Sequence, residues 1–341
     1  MIDNILMLVV LIFIAATTLV GIKIDSSDNH FFSKDNTLAL RGIWCLVILL
    51  VHVPYAYHNR IQDMIGSFAY IGVTFFFLSS GYGLTTSENS NQDMITGFWK
   101  KRLPKLLITC WAVNIFSRMA DYILFRDRPS ILALIKIDEW VIWLIGCYLI
   151  FWISHKLFFR SWKTVTIMAV VLASIVFYML SKTGTYTLTI WATECYGFIW
   201  GITLAELYSK IKQFFTDKWL LKWMVSLLLS LLLGISYLVL KPVPFFGDYL
   251  LKIILGLSIT LFILIANVRF SIGNRLSLFL GSITLEMYLL HTNVFNIISR
   301  LFPAISSGLF IISSIIVTII AAAIIHFLLG KIFSLPVCKT C

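Results

Sequence analysis

Arg41, His52, Glu194, Glu286 and His291 are ionisable side chains standing inside long apolar runs of this 341-residue chain, where charge is costly and tends to mark a cavity or a working site. A histidine in such a cavity can take a proton from a hydroxyl, because its ordinary pKa lies near neutrality. A carboxylate beside it can hold the imidazole tautomer or stabilise the imidazolium. An arginine stays charged and can grip a phosphate or carboxylate through paired hydrogen bonds. Such a set suits group transfer to a hydroxyl, and it equally suits proton-coupled transport of a small polar solute. Arg118 and Asp121, three residues apart near a helix end, are expected to pair with each other. His326, alone in an apolar helix, is expected to be structural.

The elements that must position these groups are membrane helices. Hydrophobic residues make up 60% of the chain and charged residues 13%, which leaves too little polar surface for a soluble domain. The apolar runs are about 20 residues long, as a crossing helix requires, and lack the alternation of barrel strands. The expected fold is an all-α integral membrane protein of about eleven transmembrane helices. The spans are read at about 4–22, 38–57, 66–84, 105–125, 140–158, 163–181, 188–208, 219–240, 248–268, 277–298 and 308–333. Seventeen Lys and Arg fall in one set of alternate loops with the C-terminal tail and eight in the other set. That bias places the N-terminus outside and the C-terminus in the cytoplasm. The net charge of +11 is thereby read as a topology signal, and no nucleic-acid partner is expected. Four of the six cysteines, Cys45, Cys110, Cys147 and Cys195, lie in apolar runs and read as packing residues, while Cys338 and Cys341 have the spacing of half a metal or redox site. No ligand cluster suggests a metal, and oligomeric state leaves no signature.

Helical geometry then groups the ionisable residues. Arg41 and His52 are eleven residues apart, just over three turns, so both project from one face with a rise of about 16 Å between them. Arg41 falls near the cytoplasmic rim and His52 in the outer half. His291 and Glu194 fall at the depth of His52, and Glu286 lies deeper. A shared polar cavity, with the guanidinium and imidazole on a single passage, is the economical expectation.

The order of motifs resembles the acyltransferase-3 family of membrane O-acyltransferases. Leu40-Arg41-Gly42-Ile43-Trp44 with Val51-His52 is similar to its arginine, ten residues, histidine signature. Tyr70-Ile71-Gly72-Val73-Thr74-Phe75-Phe76-Phe77-Leu78-Ser79-Ser80-Gly81 resembles its glycine-to-FFLSG segment. Phe98-Trp99-Lys100-Lys101-Arg102-Leu103-Pro104-Lys105 resembles its basic segment, with Lys105 where the family has a second arginine. Trp140-Val141-Ile142-Trp143-Leu144 and Leu280-Gly281-Ser282-Ile283-Thr284-Leu285-Glu286-Met287-Tyr288-Leu289-Leu290-His291 are similar to later segments. The resemblance implies a ten-helix acyltransferase domain over 38–335, an extra helix and loop at 1–37, and a short cytoplasmic tail at 336–341. It implies transfer of an acyl group, usually acetyl, from cytoplasmic acetyl-coenzyme A to a hydroxyl of an envelope or capsule glycan, in a bacterial inner membrane. His52, Arg41, Glu194 and His291 would be the catalytic set. Arg41, Lys101, Arg102 and Lys105 would hold the acyl-coenzyme A, and Glu139, Trp143 and Glu286 the acceptor. Both direct transfer and a protein-bound acyl intermediate, for which Ser79 and Ser80 are candidates, fit this pattern.

Overall fold

The computed structural model describes residues 2–24, 31–90, 92–184 and 190–334, so the tail with Cys338 and Cys341 lies outside the described residues. The chain is an all-α bundle: α1 (Ile2–Leu19), α2 (Lys34–Val51), a short α3 (Arg60–Gly66), α4 (Ala69–Ser90), α5 (Phe98–Phe125) and a short α6 (Ile131–Ile135). There follow α7 (Glu139–Leu157), α8 (Trp162–Lys182), the single turn α9 (Ile190–Thr193), α10 (Tyr196–Glu206), α11 (Tyr208–Thr216) and α12 (Trp219–Leu240). A π-helical turn (Phe246–Leu251) runs into α13 (Lys252–Ala266), and α14 (Arg275–Ser282), α15 (Thr284–Leu301) and α16 (Ser307–Ser334) complete the chain.

Among the described residues, seven segments are long and apolar enough to cross a membrane: Ile2–Leu19, Arg60–Ser90, Glu139–Leu157, Trp162–Lys182, Trp219–Leu240, Phe246–Ala266 and Ser307–Phe333. The remaining four expected spans overlap α2, α5, α10 and α15, which are too short or too polar to qualify. These four helices carry, or adjoin, nearly every charged residue of interest. α2 and α15 are largely buried, whereas α1, α8 and α12 are largely exposed. The apolar α1, α8 and α12 thus lie on the rim, and α2 and α15, with the apolar α4, are shielded within it.

Local sequence sets the boundaries near the site. Ser33 caps α2, its hydroxyl accepting from the Asn36 amide at 3.2 Å. The helix expected to reach residue 57 stops at Val51 instead, with His52 as its C-cap. Pro54 is the physical reason, since it has no N–H to continue the helix. Gln62, from the capping box of α3, donates to the Leu50 carbonyl left open at that end. Sequence periodicity also missed a two-residue antiparallel pairing, Lys23 with Ser271 and Ile24 with Phe270, which ties the loop after α1 to the loop after α13.

Two interfaces depend on bare backbone. At the α4–α10 contact, a Cβ on Gly197 would lie 2.0 Å from the Thr74 carbonyl oxygen, and one on Gly201 would lie 2.2 Å from that of Leu78. At the α2–α14 contact, a Cβ on Gly281 would lie 2.0 Å from the Leu38 carbonyl oxygen. Small residues let membrane helices approach this closely, and dispersion between them replaces a hydrophobic drive that lipid does not supply. Gly197→Ala and Gly281→Ala are each expected to lose roughly 1–3 kcal/mol by forcing these helices apart. Gly330→Ala, where an added Cβ meets nothing within 4 Å, should cost nothing. Thermal unfolding in detergent checks this, and equal transitions for all three variants would refute it.

Candidate functional site

His52 ends α2 and lines a cavity of about 580 Å³ together with Gln62, Asp63, Tyr70, Glu194, Lys241, Lys252 and Tyr288. Its Nδ1 lies 3.0 Å from the Ile48 carbonyl. A carbonyl only accepts, so the proton of the neutral ring belongs on Nδ1, and Nε2 keeps its lone pair as a base. His291, from α15, packs edge-on behind it with ring centroids 4.7 Å apart. The Nδ1 of His291 is 2.5 Å from the Tyr288 carbonyl, and its buried Nε2 has no partner. The two imidazoles therefore share one tautomer, imposed in each case by their own helix.

Glu194 reaches this cavity by a break in the chain. The helix expected over 188–208 is interrupted between α9 and α10, and Glu194 sits in the break. Its carboxylate is 4% exposed, accepting from Lys252 Nζ at 2.9 Å and from the Thr193 hydroxyl. Burying a carboxylate this deeply requires such partners. Lys252 is a residue that sequence reasoning passed over, although a lysine at the start of an apolar run carried the same signal as Arg41. Asp138 is another. It caps α7 by accepting from the Trp140 amide at 3.0 Å. Burial pushes its carboxyl up from the usual range, the Trp140 amide pulls it down, and His52 is close enough to pull the same way.

Arg41 does not share this cavity. It lines a second one of about 560 Å³, with Phe76, Ser79, Ser80, Lys101, Arg102, Lys105, Trp140, Tyr148, Glu286 and His326. The single passage expected from the sequence is thus two cavities set back to back. Phe76 and Trp140, which line the arginine side, pack 6.5 and 5.2 Å from Tyr288, which lines the histidine side. One aromatic layer is the partition. Helical spacing gave the shared face of Arg41 and His52 but could not show what side chains from α4, α7 and α15 insert between them.

The arginine cavity carries four cations and one carboxylate among its lining residues, a formal excess of +3. Arg41 Nε is buried without a partner, and its guanidinium lies 5.7 Å from the Phe76 ring centre. Lys101, Arg102 and Lys105 all come from the first turns of α5, where the helix dipole disfavours cations. An anion bound among them would relieve that repulsion.

Other expectations are corrected. Glu286, expected on the acceptor side, lies in the Arg41 cavity and accepts from His326 Nδ1 at 2.9 Å. His326 is thereby satisfied by a carboxylate from another helix, in keeping with a structural histidine. Glu139 is exposed at the start of α7, and Trp143 is buried against Phe177 and Trp191, so neither lines these two cavities. Arg118 does pair with Asp121, at 2.8 Å, and also with Asn293.

Residues 39–327 match the acyltransferase-3 family, described as an acyltransferase domain. The chain belongs to the acyltransferase-3 family. No curated protein and no solved structure matches it. The matched acyltransferase residues begin within α2 and end within α16, so both cavities lie inside the domain and α1 precedes it. The protein is accordingly a membrane acyltransferase.

The buried ion pair in the histidine cavity gives a direct test of the geometry. Lys252→Met leaves the Glu194 carboxylate without its cation and should destabilise by roughly 3–5 kcal/mol, as broken buried pairs do. Lys252→Met with Glu194→Gln should recover most of that loss. A double-mutant cycle read by unfolding in detergent checks it, and additive effects would show that the two groups do not interact.

Proposed function

We propose that this chain moves an acyl group, most simply acetyl, from cytoplasmic acyl-coenzyme A to a hydroxyl of a cell-envelope glycan, with His52 as general base. The observation that carries the reading is the pair of cavities with unlike electrostatics on the two sides of one aromatic layer. The cationic cavity fits the phosphates of the donor, with Arg41, Lys101, Arg102 and Lys105 as their partners. The cavity holding His52 fits the acceptor. The opposed ends of α2 then face cytoplasm and exterior, matching a donor made inside and a glycan assembled outside.

In the reaction, Nε2 of His52 takes the proton of the acceptor hydroxyl while its oxygen attacks the thioester carbonyl. The tetrahedral adduct collapses, the C–S bond breaks, and the thiolate recovers the proton from the imidazolium. An ester and a free thiol result. Glu194 and Asp138 stabilise the transient imidazolium, and His291 packs against the base to fix its plane. Ser79 and Ser80 line the donor cavity with their hydroxyls bonded there, Ser79 to the Phe76 carbonyl at 3.0 Å and Ser80 to Tyr148, which favours direct transfer over an acyl-serine. Transfer requires the pantetheine arm to pass between Phe76, Trp140 and Tyr288, so these side chains move in the cycle.

The same two cavities suit a second reading, a transporter alternating across the partition, with His52 and Glu194 as the proton-coupled site. Purified protein with labelled acetyl-coenzyme A and envelope glycan separates the two. His52→Ala should lower transfer by about 10²–10⁴-fold, and Arg41→Ala should weaken donor binding by about 10–100-fold. Wild-type transfer by His52→Ala would reject the base. Protein that binds no acetyl-coenzyme A yet carries solute into liposomes would reject the transferase.

A further inference from the structure

Beside the histidine cavity lies a smaller one of about 220 Å³, lined by Tyr178, Ser181, Lys182, Ala192, Thr193, Tyr237, Lys241, Asp248 and Lys252. Tyr237, Lys241 and Lys252 line both, so the two spaces share a wall and form one bent groove. The Thr193–Glu194–Lys252 chain of hydrogen bonds stands at the junction. A molecule in the smaller space would therefore press on the groups that hold Glu194 beside His52.

We infer that this smaller cavity is a second sugar subsite, and that the acceptor is an uncharged glycan of at least two residues. The inference rests on the proposed transferase reading and adds the substrate's length and charge. Charge is the first argument. Across the combined groove Lys182, Lys241 and Lys252 are matched by Asp63, Glu194 and Asp248, three against three, whereas the Arg41 cavity has an excess of +3. A balanced surface of this kind does not select an anion.

Chemistry is the second argument. Asp248 is held by the Tyr178 hydroxyl at 3.1 Å, the Phe245 amide at 2.7 Å and the Lys182 ammonium. A carboxylate has about four lone-pair sites, so one is left to accept from a ligand hydroxyl. Lys182 spends one donor on Asp248 and one on Tyr178, and its ammonium has a third to offer. Acceptor and donor thus stand side by side, as a vicinal diol requires. Tyr178 and Tyr237 line the smaller space and Tyr70 and Tyr237 the neighbouring one, with Lys182 5.1 Å from the Tyr178 ring centre and Lys252 4.9 Å from that of Tyr70. Fixed hydrogen-bonding groups set among tyrosine side chains suit a pyranose, which presents hydroxyl edges and C–H surfaces together. Because Asp248 is already anchored by three partners, binding there costs little ordering.

The probe is envelope glycan from a source strain lacking this gene, de-O-acylated, partly hydrolysed, and separated into neutral and anionic fractions of one to four units. Each fraction is incubated with purified enzyme and labelled acetyl-coenzyme A. Neutral fractions of two or more units should give a kcat/KM at least tenfold above the single unit. In Asp248→Asn and in Ser181→Trp, which fills the subsite, that ratio should fall towards one, with monodisperse elution in detergent reporting that each variant folds. Equal labelling of all lengths by wild type, labelling confined to anionic fractions, or a ratio preserved in a monodisperse variant would each overturn the inference while leaving the transferase intact. Absence of label in every fraction would instead overturn the transferase reading, and this inference with it.

Discussion

A charge placed at the centre of a bilayer costs roughly 2.5–3.5 kcal/mol even on the more lenient scales, so each one must find a partner, water or a ligand. The bundle is arranged around that constraint. Glu194 meets Lys252, Glu286 meets His326, Asp121 meets Arg118, and Glu88 meets His155 at 2.7 Å within the fold. Arg41 is different, because among the described residues its buried Nε has no hydrogen-bond partner and it shares its cavity with three further cations and the single carboxylate of Glu286. Under the proposed reading, an anionic donor would offset that excess. Placing that charge on α2 is possible only because the glycine contact with α14 and the apolar rim keep the helix out of lipid.

Electrostatics also divides the work between the two cavities. Cations gathered at the start of α5 raise the local concentration of anions without any need for exact fit. The histidine side, with its paired charges, recognises by hydrogen-bond geometry instead. A base there needs a lone pair aimed into the cavity, and the bond from His52 Nδ1 to its own helix supplies it. The helix end is thus a functional device: had α2 continued through Pro54, the Ile48 carbonyl would still accept, but the ring would be buried against the next turn rather than presented to the groove.

Much of this was legible in the sequence, and the exceptions have a common cause. Apolar length gave the helices, and the motif order gave the family, because both are local properties. The eleven-residue spacing of Arg41 and His52 suggested one passage, whereas the two line separate cavities. What sits between them did not follow, since Phe76, Trp140 and Tyr288 arrive from three other helices. The break at Glu194 was hidden because an apolar run with one carboxylate reads as a helix with a flaw rather than two helices with a turn. The partner that satisfies His326 could not be named because Glu286 is forty residues away along the chain. Lys252 and Asp138 were within reach: one is a charge in an apolar run, the other an acid immediately before one, the usual mark of a helix N-cap.

The partition itself follows from the chemistry the fold must contain. If the donor is a thioester as proposed, an open channel would let it meet water as readily as a sugar hydroxyl, and hydrolysis would compete with transfer. An open polar channel would also pass protons and ions, dissipating the gradients that the membrane exists to hold. An aromatic layer one side chain thick answers both problems at small cost: it excludes water when the donor is absent, and rings can rotate aside without moving a helix. On this view the separation of Arg41 from His52 is what allows a transferase to work across a bilayer at all.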